Sequence, residues 1–130
     1  MFKNNKNLIK SINMAEVHKM ELEFKNIFAS LIKPFDAVLG DSNLKIAYKV
    51  FDNLEKSHKE IESIKKKEYQ ISITFKSSIS LEKKKDILLK AVKELKEAYR
   101  KVAGNITNYM VEFALKDYWL KLKLPMNVLQ

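Results

Sequence analysis

Two glycines and two prolines are all the chain-breaking residues that 130 positions contain: Gly40, Gly104, Pro34 and Pro125. A β-sandwich or barrel needs turn residues about every 8–12 positions, and this chain cannot supply them. Few breakers mean few, long elements, and long elements mean helices. Hydrophobic residues make up 46% of the chain, enough to bury a core, so disorder throughout is excluded. The length is that of one ordinary domain.

The apolar spacing divides the chain into three stretches. In the first, Val17, Met20, Phe24, Ile27 and Leu31 recur at alternating steps of three and four, one stripe of a helix. This predicts a helix from about Asn7 to Lys33, ended by Pro34, which pushes its predecessor out of the α region. The segment from Pro34 to Gly40, with Phe35, Val38 and Leu39, reads as an apolar connector tucked against the end of the bundle.

The capping residues Asp41, Ser42 and Asn43 announce a second helix over 42–76. Its stripe is Ala47, Val50, Leu54, Ser57, Ile61, Ile64, Glu68, Ile71 and Phe75, with a seam weakened by two polar members. Tyr69, Ile71, Ile73 and Phe75 also alternate as a strand would. A lone strand would have nothing to pair with, and on that argument the segment is read as helix.

Ser77, Ser78 and Ser80 form the second connector, with Ser80 as N-cap and Glu82 in the first turn of a third helix. Leu88, Val92, Leu95, Tyr99, Val102, Ile106, Tyr109 and Phe113 keep one phase across Gly104. A turn at Gly104 would reset that phase, so a single helix is predicted over 81–123, with a kink allowed at Gly104 and an end before Pro125. The fold expected is all-α: one domain over 1–130, an elongated up-down-up bundle of three long amphipathic helices (7–33, 42–76, 81–123), the third the longest.

The net charge is +9, carried by 24 lysines and the lone Arg100. Arginine reads guanine and phosphate bidentately, whereas lysine acts as a mobile point charge. Sequence-specific DNA recognition is therefore disfavoured, while non-specific contact with a polyanion is not. With no cysteine, disulfides, zinc–thiolate sites, iron–sulfur clusters and thiol catalysis are excluded. No apolar run approaches the roughly 20 residues that span a bilayer. Residues 1–15 carry three lysines and no acid, faintly like a mitochondrial presequence, but they lack its arginines. The expected location is intracellular and cytoplasmic.

Catalytic, cofactor and metal chemistry find no foothold. His18 and His58 are the only imidazoles. A single Glu-x-x-His, Glu55 to His58, is present, whereas carboxylate-bridged bundle sites take one from each of two helices, so both histidines are expected to be surface residues. The serines of the second connector are explained by capping, and Gly40 and Gly104 are too isolated to cradle a phosphate. No catalytic residue, cofactor, metal or small-molecule substrate is expected.

Two surfaces carry the functional expectation. Lys65, Lys66, Lys67 and Lys83, Lys84, Lys85 flank the second connector. In the up-down-up arrangement they gather with Lys3, Lys6 and Lys10 at one end of the rod. That end is a candidate contact for RNA, DNA or an anionic membrane surface, against the plain alternative of a solvated lysine-rich end. The other end is apolar: Tyr109, Phe113, Tyr118, Trp119, Leu120, Leu122 and Leu124 cover more than one face of the third helix, and a helix apolar around most of its girth is buried from several sides. This is the candidate protein interface, for self-association or for a partner. The function expected is a non-enzymatic helical interaction or scaffold protein, an assembly subunit or adaptor. The alternative is a non-specific nucleic-acid-binding or ribonucleoprotein subunit using the lysines.

Overall fold

A computed structural model describes residues 18–122 of the chain, and their side chains as far as 120. About 74% of the described residues are helical. Helix α1 covers residues 18–32. A 3₁₀ turn, Lys33–Phe35, leads into the one-turn helix α2, Asp36–Leu39, and then α3, Ser42–Ser57. Strands β1, Ile61–Lys67, and β2, Gln70–Phe75, form an antiparallel hairpin. Helices α4, Leu81–Ala103, and α5, Ile106–Leu122, complete the described chain.

The three-helix bundle is overturned in two places. The first is the span 42–76, which is not one helix. Helix α3 stops at Ser57, and His58 is already extended, at φ −126° and ψ 105°. The alternation Tyr69-Ile71-Ile73-Phe75 is the true period, and the partner that a lone strand would lack is the segment just before it. Ile61 pairs with Phe75, Ile64 with Ile73 and Lys67 with Gln70, with an irregularity in the register between Ile61 and Ser63. Glu68 opens the two-residue turn at φ 53°, the handedness that matches a tight hairpin to strand twist. Ile61, Ile71 and Phe75 are buried against the helices. An isolated hairpin is marginal in water, and this one is held by that buried face. Its tip is fastened twice more: Tyr48 Oη donates to the Glu68 carbonyl at 2.8 Å, and Tyr69 Oη donates to Asp36 Oδ2.

The second is the span 81–123, which is two helices. Gly104 takes φ 72° and ψ −150°, a region nearly closed to residues with a Cβ. The break resets the phase. Leu88, Val92, Leu95 and Tyr99 are buried as expected, but Val102, Ile106, Tyr109 and Phe113 are exposed. The buried stripe of α5 is Thr107, Val111, Leu115 and Trp119 instead.

Other expectations hold. Met20, Phe24, Ile27 and Leu31 line the buried side of α1, joined by Phe28 and Ile32; Val17 lies outside the described residues. Pro34 sits in the first positions of the 3₁₀ turn, where its missing N–H costs nothing. Ser80 caps α4, its hydroxyl accepting from the Lys83 amide at 3.2 Å.

At the centre of the core, the connector, α3 and α4 meet through one buried amide. Asn43 Nδ2 donates to the Ile32 carbonyl and to Asp36 Oδ1, each at 2.8 Å. Asn43 Oδ1 accepts from Tyr99 Oη at 2.6 Å. The Tyr99 ring stacks on Phe35, with centroids 3.9 Å apart and planes 7° apart.

Candidate interaction surface on the last helix

Helix α5 is apolar on two opposite sides. At about 100° per residue, its buried set (Thr107, Val111, Leu115, Trp119) and its exposed set (Ile106, Tyr109, Phe113, Leu120) point roughly 170° apart. The exposure is large: Phe113 is 91% exposed, Tyr109 75% and Leu120 66%. Beside this stripe runs an open groove of about 1300 Å³. One wall is Ala29, Ser30 and Pro34 with Ala37 of α2, and the other is α5 from Tyr109 to Lys116. Ser30 Oγ and Tyr118 Oη approach to 3.4 Å across the two helices, below the groove. Small residues on the α1 side keep the groove open, since Ala29 and Ala37 do not reach across to α5.

The rim charges of the groove balance, with Lys33 and Lys116 against Asp36 and Glu112. On a chain of net charge +9, this rim adds no net charge.

The apolar residues expected at the interface therefore divide. Tyr109, Phe113 and Leu120 are on the outer stripe, and Tyr118 is half-buried against α1. Trp119 is 1% exposed and belongs to the core. Leu122 is the last residue of α5, and Leu124 lies outside the described residues. Ile106, expected in the core, is on the outer stripe instead. The signal that could have found it is the seven-residue spacing Ile106, Phe113, Leu120, which continues on its own if Gly104 is allowed to break the helix.

The lysines are spread rather than gathered. Lys65, Lys66 and Lys67 sit on β1 towards the hairpin turn, where Lys66 pairs with Asp52. Lys83 sits at the start of α4, 3.5 Å from Glu60 at the base of the hairpin, and the Lys84 ammonium lies 5.9 Å from the centre of the Phe75 ring. Six residue steps along a strand, roughly 20 Å, separate the tip from the base. Lys3, Lys6 and Lys10 lie outside the described residues.

Of the titratable groups, Lys96 is the buried cation of α4, 3% exposed. Burial, with Arg100 nearby, lowers its pKa. Glu97 and, from α5, Glu112 act against that shift. His18 is exposed and His58 half-buried. Among the described residues, no group of three or more His, Cys, Asp or Glu could hold a metal ion, and no helix is long and apolar enough to cross a membrane. Comparison with protein-family models, with curated proteins and with solved structures finds no match.

Proposed function

We propose that this chain is a non-enzymatic docking module that works through protein–protein contact at the outer face of α5 and its groove, inside the cell and in the cytoplasm. The observation that carries the reading is the nearly full exposure of Phe113 in line with Ile106, Tyr109 and Leu120. Aromatic and large aliphatic residues in a contiguous exposed stripe are costly to leave wet and mark interaction surfaces. None of the four is needed to close the core, since α5 buries its opposite side for that purpose. The neutral rim suits an apolar protein surface better than a polyanion. The two lysine triplets lie about 20 Å apart along the hairpin and form no single dense patch, which gives the polyanion alternative less support than the apolar stripe. A chain without cysteine is at home in a reducing compartment.

The test is site-specific photocrosslinking in cells, with benzoylphenylalanine in place of Tyr109 and, as control, of Lys90 on an exposed polar position of α4. The expected result is a discrete protein adduct from position 109 and none from position 90. Equal, diffuse labelling from both positions refutes a docking role for this face.

A further inference from the structure

Resting on that docking role, we propose that the occupant of the face is a second copy of this chain, joined by antiparallel pairing of the two α5 helices about a twofold axis at Phe113. The outer stripe is symmetric about that residue. Ile106 stands seven positions before it and Leu120 seven after. When two such helices run antiparallel with Phe113 level with Phe113 of the second copy, Ile106 of each copy meets Leu120 of the other. Tyr109, four positions before the centre, meets Asp117, four after, which sets a phenol donor against a carboxylate. A twofold contact requires a patch complementary to itself, and this stripe meets that condition with both apolar and polar pairs.

The seven-residue step is also the one that keeps a seam facing a partner helix at the shallow crossing of coiled coils. Phe113 edges the groove and cannot fill its own, whereas the Phe113 of a second copy arrives over it. Charge points the same way. Two chains of +9 repel over most approaches, but here Lys33 and Lys116 of one copy face a rim that also carries Asp36 and Glu112. In area, two aromatic residues of about 150–250 Å² each, largely exposed, together with Ile106, Leu120 and the groove walls, bring each copy near the roughly 800 Å² per partner of a standard interface.

The test uses the full chain and two single substitutions. Ile106→Glu places an acid in the first turn of α5 and Leu120→Lys a base in its last turn. Both suit the helix dipole and both positions are exposed, so each variant keeps the helical circular dichroism spectrum of the unaltered chain, and its melt loses only the concentration-dependent part that dimerisation adds. Sedimentation velocity of the unaltered chain shows a dimer. Each variant alone dissociates at least about 100-fold more readily, because each dimer then buries two unpaired charges. An equimolar mixture of the two variants recovers the dimer. The antiparallel register sets the introduced carboxylate of one chain against the introduced ammonium of the other, and it leaves the second Ile106–Leu120 pair intact. A monomeric unaltered chain overturns the proposal. So does a mixture that stays monomeric, because a parallel pair or a different face gives no such rescue. The crosslink from position 109 separates the two levels of the reading: an adduct with a different protein refutes the second copy and leaves docking standing, whereas absence of any adduct removes both.

Discussion

Replacing Tyr99 by phenylalanine tests a buried polar junction of the core. The substitution keeps the ring, and with it the stacking on Phe35 at 3.9 Å, and removes only the hydroxyl. What it removes is the donor to Asn43 Oδ1, a 2.6 Å bond between two residues that are each 0% exposed. The amide oxygen is then buried with its partner gone, and leaving a buried acceptor unsatisfied costs about 1–3 kcal/mol. For a domain whose whole stability is about 5–15 kcal/mol, that is a large fraction. Urea denaturation followed by far-UV circular dichroism should show the midpoint falling with an unchanged slope. Combined with Asn43→Ala, the loss should be smaller than the sum of the two single losses by about 1 kcal/mol. A loss below about 0.5 kcal/mol, or strict additivity, refutes the claim that this bond holds α4 to α3.

The same hydroxyl gives the stability an alkaline edge, because burial, and then the charge of Asp36, push the Tyr99 phenol well above its usual value of 10.0. The folded state keeps this proton more tightly than the unfolded chain, so the contribution is fully present below pH 10, the value in the unfolded chain, and is lost as pH rises from there through the raised folded value. Denaturation midpoints measured upward from pH 9.5 should fall less steeply in Tyr99→Phe than in the unaltered chain. Trp119→Ala should cost about 3–5 kcal/mol and lower the thermal midpoint sharply, because the indole is 1% exposed; a normal melt with weakened association would return Trp119 to the interface. Gly104→Ala should cost about 1–3 kcal/mol, read by the same melts, since the φ of 72° disfavours any Cβ; an unchanged or raised midpoint would mean that α4 and α5 can fuse into one helix.

What was legible in the sequence followed from local rules that nothing nonlocal contradicts. Met20, Phe24, Ile27 and Leu31 had one period to choose from, and Ser80 had an obvious helix to cap. The failures came where two local signals competed and the arbiter was distant. Residues 69–75 fitted both periods, and the decision rested on whether a partner strand existed. The partner, Ile61–Lys67, reads IESIKKK, whose polar run hides its strand character, and the tight turn uses Glu68 where a glycine or asparagine would have announced it. At Gly104 the difficulty was the reverse. Because α5 is apolar on both sides, any phase carried into it from α4 finds hydrophobic residues to continue on. The pattern therefore could not report the break, and the wrong stripe looked uninterrupted. The candidate surface failed and succeeded for that same reason: the aromatic excess was visible, but which half of it was core depended on the helix phase that Gly104 resets.

That degeneracy bears on function. A helix with one apolar side is fully accounted for by folding. Once Thr107, Val111, Leu115 and Trp119 satisfy the core, folding makes no demand on the opposite side, and polar residues there would cost nothing. Phe113, Tyr109, Ile106 and Leu120 instead leave large apolar groups in water, where burying each one would contribute on the order of 1.5–3 kcal/mol. Neighbouring exposed positions show that the chain uses charge freely elsewhere: Lys90, Lys93 and Glu97 occupy the solvent side of α4. The contrast between the two consecutive helices, one amphipathic and one apolar on both sides, favours an interaction surface after Gly104. The glycine is then more than a turn. By resetting the phase it presents Phe113 to solvent and commits Trp119 to the core, so the residue that breaks the helix also decides which aromatic side chain is available to a partner.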